Sequence, residues 1–177
     1  MSVNSRAKGK RGELSLAKVL REYGYDSHRG VQYKGGQDSP DVVGLPLIHI
    51  ECKRVEQLNI YEAFEQSKRD AGILIPVVMH RKNNYPWLVT MAEKDFDRMR
   101  EITHTVTYSW YVERKRLDIY GLLTQTKQRA KKENISYYCL AHDRDNSEIL
   151  VTMPLNLWMD IYRDWELEQN VPKEERA

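Results

Sequence analysis

The 177-residue chain contains two cysteines, two phenylalanines and six prolines, and no apolar run in it approaches the roughly 20 residues needed to cross a bilayer. Each scarcity removes a class. Cys52 and Cys139 lie far apart with no metal-ligand spacing, which leaves neither a disulfide framework nor a structural zinc site and reads as two reduced, buried thiols. Apolar residues at 41% and charged residues at 31% exclude a disordered or fibrous chain. The opening MSVNSRAKGKRGE is basic but has no apolar segment behind it, so no secretory signal is expected and the cytoplasm is the expected compartment. A soluble globular protein of one domain, or two small ones, is the class that remains.

Excess charge is also scarce, at a formal +2, but it is unevenly placed. Residues 1–34 hold eight Lys and Arg against three Asp and Glu, whereas residues 35–177 hold twenty against twenty-three. Arg6, Lys8, Lys10 and Arg11 precede the first acid, a pattern that suits either a phosphate backbone or a solvated terminus.

The run 9–23 places Leu14, Leu16, Ala17, Leu20 and Tyr23 near one helical stripe, ended by Gly24. A loop rich in Gly, Ser, Asp and Pro follows, and then two apolar runs, DVVGL and LIHIEC, with a turn at Gly44, Leu45 and Pro46. Asn59 caps a helix expected to run to about Gly72; ILIPVVMH and PWLVTM read as strands, and 92–101 as a helix.

The chain also repeats itself. IECKR (50–54) matches VERKR (112–116), NIYEAFEQSKRDA (59–71) matches DIYGLLTQTKQRA (118–130), and PWLVTM (86–91) matches EILVTM (148–153). Polar identities at matched spacing, including Lys68/Lys127, His80/His142 and Asn84/Asn146, argue for a partial duplication. The expected organisation is a core over 1–102 with a basic tail, and over 103–177 a degenerate repeat of 41–102 packed with it. The second copy keeps Glu113, Lys115 and Gln125 but has Thr103 where Asp41 would fall, and is expected to be catalytically dead.

In an extended strand Glu51 and Lys53 face one side while Cys52 points with Ile50 to the other, and a hairpin brings Asp41 alongside. Two carboxylates converging with an ammonium call for a balancing cation, and a hard divalent ion with oxygen ligands supplies one. Mg²⁺ suits Asp41, Glu51 and the backbone carbonyl of Cys52, with Lys53 beside the attacked phosphate.

Glu13 on the first helix, Ser39-Pro40-Asp41 with Val42-Val43, Ile50-Glu51-Cys52-Lys53, and Gln66 on the next helix together resemble the PD-(D/E)XK nuclease superfamily. Over about residues 6–80, the basic opening and Gly-rich loop look most like the archaeal Holliday junction resolvases and their phage relatives. The resemblance implies an α/β restriction-endonuclease-like core, a central mixed β-sheet flanked by helices. It further implies a Mg²⁺-dependent endonuclease, with Mn²⁺ able to substitute, cutting branched DNA as a homodimer. Glu13 would complete the metal site, Asp41 and Glu51 would be its main ligands, Lys53 the catalytic ammonium and Gln66 its support; Arg29 and Lys34 join the four basic residues of the terminus as DNA contacts. Such resolvases carry a loop serine, for which Ser27 and Ser39 are both unconvincing.

Every residue has a structural reading as well. Glu13 suits the first turn of a helix, Asp41 a turn, Glu51 and Lys53 a solvated strand face, and Gln66 a helix surface. Their joint order favours the nuclease. A nuclease for ordinary duplex or single-stranded DNA, and an inactive DNA-binding protein that keeps the fold, are the alternatives.

Overall fold

A computed structural model of the chain describes residues 3–30, 39–100, 105–112, 117–144 and 147–170, with eight strands and five helices among them. The chain separates into two compact units, 1–91 and 92–177.

The first unit opens on helix α1, Val3–Glu22, which begins earlier than the expected residue 9. Arg, Ala and Lys are good helix formers, and they carry the helix across Gly9 and Gly12. It stops at Gly24, whose φ of 95° suits a glycine, with the Tyr25 amide donating back to the Leu20 carbonyl at 3.4 Å. Its buried stripe is Gly12, Leu16, Ala17 and Leu20; Leu14, expected on that stripe, is instead exposed.

Strands β1 (His28–Arg29), β2 (Val42–Val43) and β3 (Ile48–Arg54) pair antiparallel in that order. β1 falls in a stretch that reads as loop from sequence, because two residues carry no periodicity. Helix α2 (Ile60–Asp70) then carries the chain to β4 (Ile75–Arg81), which lies parallel to β3, and β5 (Leu88–Ala92) returns antiparallel to β4. The Asn59 side chain caps α2 by accepting from the Glu62 amide at 3.4 Å.

β3 is interior to this sheet, and both of its faces are covered. α1 lies over the Cys52 and Arg54 side, where a Cβ on Gly12 would stand 3.0 Å from the Arg54 Cβ; α2 covers the other. Ile48 to Cys52 are therefore all buried rather than alternating, as in a strand packed on both sides.

The second unit contains α3 (Glu93–Arg100), β6 (Val106–Val112), α4 (Ile119–Lys132), β7 (Tyr137–Asp143), β8 (Leu150–Pro154) and α5 (Leu155–Gln169). β6 runs parallel to β7, and β8 returns antiparallel to β7, the same strand–helix–strand–strand path as β3, α2, β4 and β5. A buried pair also recurs. His80 Nε2 lies 2.9 Å from Thr90 Oγ1 in the first unit, and His142 Nε2 lies 2.8 Å from Thr152 Oγ1 in the second. α5 seals the second core with Trp158 and Tyr162, whose rings stack at 4.9 Å.

Two glycines should respond oppositely to a methyl group. Gly30→Ala would set a Cβ 1.9 Å from the Pro40 carbonyl oxygen, and is expected to cost about 1–3 kcal/mol as an overpacking change. Gly9→Ala, whose new Cβ meets only Glu13 Oε1, at 3.7 Å, among the described residues, should raise stability by about 0.5–1 kcal/mol. Urea unfolding of the two variants checks both signs.

Candidate active site

Asp41 is pinned by its backbone before its side chain does anything. Its amide donates to the Ile50 carbonyl and its carbonyl accepts from the Gly30 amide, both at 2.9 Å, so the residue is fixed between β1 and β3. Its Oδ2 then accepts the Cys52 amide at 2.9 Å, which turns the carboxyl group onto β3 beside Glu51. The two carboxyl groups are neighbours whose titrations influence each other, and burial of the site disfavours ionising both at once.

Both carboxyl groups accordingly titrate above their usual range. Burial is the largest cause for Glu51, followed by the charge of Asp41, and together they push it up to about 7 against the opposing Lys53 ammonium. Asp41 is also raised, by burial first; the Cys52 amide, Lys53, Glu51 and Arg29 pull it the other way. Lys53 Nζ sits 2.5 Å from Glu51 Oε1 and donates to Gln66 Oε1 at 3.1 Å, so the helix α2 amide holds the ammonium beside the carboxyl pair. Four of the expected residues, Asp41, Glu51, Lys53 and Gln66, are thus brought together.

Glu13 has another partner. It is ion-paired with Arg29 of β1, and the Arg29 charge also reaches Asp41. Among the described residues no group of three or more His, Cys, Asp or Glu side chains is arranged to hold a metal ion, so the oxygen cluster is a pair rather than a triad. Arg29, expected at DNA, is placed between Glu13 and Asp41, a position that no local sequence signal marks.

Cys52 contributes through its backbone. Its thiol is pushed well above its usual range, chiefly by burial, and stays protonated. His49 also escaped the sequence reading: it is 1% exposed, its Nε2 has no hydrogen-bond partner among the described residues, and burial lowers its pKa. Ser27 is buried and donates its hydroxyl to the Val43 carbonyl at 2.7 Å, a structural bond, and Ser39 is exposed.

Of the basic candidates, Lys8 is half-buried on α1, and Lys10 and Arg11 are exposed there. Lys34 and the Arg6 side chain lie outside the described residues, as do Glu113 and Lys115. The strand register matters for the last two. Glu51 and Lys53 stand opposite Val78 and His80, and in the second unit Ser109 and Tyr111 stand opposite Leu140 and His142. With the two histidines matched, the β6 residues in the places of Glu51 and Lys53 are Ser109 and Tyr111. Gln125 is exposed on α4.

A family model described as "Phage putative PDDEXK endonuclease" matches residues 4–124, about two thirds of the chain. No curated protein and no solved structure gives a significant match.

The raised pKa of Glu51 fixes the sign of a pH effect. Below about 4.5 the group is protonated whether folded or unfolded; as pH rises toward 7 the unfolded chain ionises first, and the folded state loses stability. The metal-free protein should therefore lose up to about 1.4 kcal/mol per pH unit from this group across that window. Glu51→Gln should flatten the profile, as read from denaturant midpoints between pH 4.5 and 7.5.

Proposed function

The chain belongs to the phage putative PDDEXK endonuclease family, and from that premise we propose that it is a Mg²⁺-dependent DNA endonuclease acting on branched DNA, in the manner of a Holliday junction resolvase. The observation that carries the catalytic part is the Asp41–Glu51 pair, Glu51 buried and Asp41 half-buried, with Lys53 against Glu51. Two neighbouring carboxyl groups whose ionisation burial disfavours form a hard oxygen donor set, which fits a small divalent cation. Asp41 and Glu51 would hold Mg²⁺, or Mn²⁺ in its stead, with the Cys52 carbonyl as a further donor and Glu13 available on release from Arg29. Bound there, the ion supplies a Lewis acid for the phosphate and lowers the pKa of a water.

The rest falls to the protein's own side chains. Lys53, fixed between Glu51 and Gln66, places a positive charge where negative charge grows on the attacked phosphate. Gln66 positions that ammonium and touches no reacting atom. The Asp41 carboxylate is oriented by the Cys52 amide, so little reorganisation is needed as charge shifts. Lys8, Lys10 and Arg11 on α1 supply salt-sensitive contacts to the DNA backbone with little sequence readout.

Cutting two strands symmetrically requires two such sites, hence a homodimer. The second unit is a degenerate partial repeat, 103–177 of 41–102, supported by the matched strand path and the matched His–Thr pairs. With Ser109 and Tyr111 at its strand positions it has no carboxylate–lysine pair on β6 and performs no cleavage.

A synthetic four-way junction with Mg²⁺ tests this reading directly. Wild type should cut it faster than linear duplex or flap, and Glu51→Ala and Lys53→Ala should each lose at least about 100-fold. Equal cutting by wild type and both variants would remove the catalytic assignment; equal rates on junction and duplex would remove the branched substrate.

A further inference from the structure

Resting on the endonuclease reading of the chain, we infer that the solvent face of α4 in the second unit is a nucleic-acid contact, in which Lys127, Lys131 and Lys132 bind the phosphate backbone of the DNA substrate. α4 carries these three lysines and Arg129, and over Ile119–Lys132 it has no Asp or Glu. Its buried side is Ile119, Leu123, Thr126 and Ala130, packed over β6 and β7, which turns all four cations outward, and each is exposed. Arg129 already has an acid, since Glu133 Oε1 accepts from its Nε at 3.0 Å. Lys127, Lys131 and Lys132 have no ion pair among the described residues. Lys127 and Lys131 are also four residues apart, about 6 Å along the axis on one side of the helix, where like charges repel unless an anion joins them.

Comparison with α2 shows that packing does not dictate this charge. Matching 59–71 with 118–130 sets Lys68 against Lys127, and sets Glu62, Glu65 and Asp70 against Gly121, Thr124 and Arg129. Gly121 has a local reason, because a Cβ there would strike the Asp118 side chain that caps α4. Thr124 and Arg129 are exposed, so no neighbour demands the loss of the two acids. A helix C-terminus attracts cations, which suits Lys131 and Lys132, but the attraction is confined to the last turn and reaches neither Thr124 nor Lys127. What an acid-free basic face favours is a polyanion. No exposed residue of α4 is apolar, so the helix has nothing to insert into a lipid surface. A phosphodiester backbone asks for cations and amide donors alone, and the exposed Gln125 and Gln128 stand among the lysines. The three lysines lie beyond residues 4–124 of the family match, so the contact is a feature of this chain's own second unit.

The full chain carrying Glu51→Gln, which silences cutting, can be titrated against a fluorescein-labelled duplex at several salt concentrations. Adding Lys127→Gln, Lys131→Gln and Lys132→Gln together should weaken binding at least about tenfold near 0.1 M salt. It should also reduce the slope of log affinity against log salt by about 2 to 3, close to one counterion for each charge removed; Lys127→Gln alone should lower it by about 1. Arginine at the same positions should restore both quantities. Glutamine is as good a helix former as lysine, so the circular dichroism spectrum should not change. Arg163→Gln, which removes an exposed cation from α5 of the same unit, should leave the slope as it is. Unchanged affinity and slope in the triple variant, or an equal loss per charge in Arg163→Gln, overturns the contact and leaves the cutting site intact. Loss of binding to phosphatidylserine vesicles with DNA affinity unchanged overturns it as well. Weakened binding in the triple variant beside a wild type that cuts nothing keeps the contact and removes the cutting reading, and a parent chain that binds no DNA overturns both.

Discussion

Two neighbouring carboxyl groups, Glu51 buried and Asp41 half-buried, influence each other's ionisation, and much of the first unit can be understood as what their proximity requires. Burying one carboxyl group disfavours its charge, and burying two together disfavours it further. The arrangement persists because surrounding groups offset the cost in part: the Cys52 amide toward Asp41, the Lys53 ammonium toward Glu51, and Gln66 fixing that ammonium from α2. Backbone bonds from Gly30 and to Ile50 leave Asp41 no freedom to turn away. The sheet needs a Cβ-free residue at position 30 for the same reason, since any side chain there would strike Pro40 and displace Asp41.

How much of this was legible in the sequence differs from residue to residue. Asp41, Glu51 and Lys53 were readable because the alternation of a strand and the hairpin before it place them together without knowledge of long-range contacts, while Gln66 came only with the family resemblance. The pairing of Glu13 with Arg29 was not, because it joins α1 to a two-residue strand too short to leave any periodic signal. Burial of Glu51 was also hidden: an acid at a strand position reads as solvated until both faces of the strand are known to be covered. Arg54, Glu56 and Asn83 look like ordinary surface residues in sequence and meet only through the parallel register of β3 and β4.

The matched strand paths of the two units show a different limit of sequence reasoning. Aligning IECKR with VERKR follows charge, and residues 113–116 lie outside the described residues. The strand itself is Val106–Val112, a β-branched and aromatic run chosen by packing, which puts Ser109 and Tyr111 at the positions that carry the acid and lysine in the first. What recurs between the units is the buried scaffold, the strand path and the His–Thr pair. What differs is the polar chemistry at the matched strand positions.

The central claim is that the Asp41–Glu51 carboxyl pair is a cation site that releases a proton on binding. Calorimetric titration of Mg²⁺ into the intact protein at pH 6, repeated in two buffers of different ionisation enthalpy, measures that exchange. The account predicts binding accompanied by release of a substantial fraction of a proton, lost in Asp41→Asn and in Glu51→Gln. Binding with no proton release, or undiminished in both variants, would contradict it.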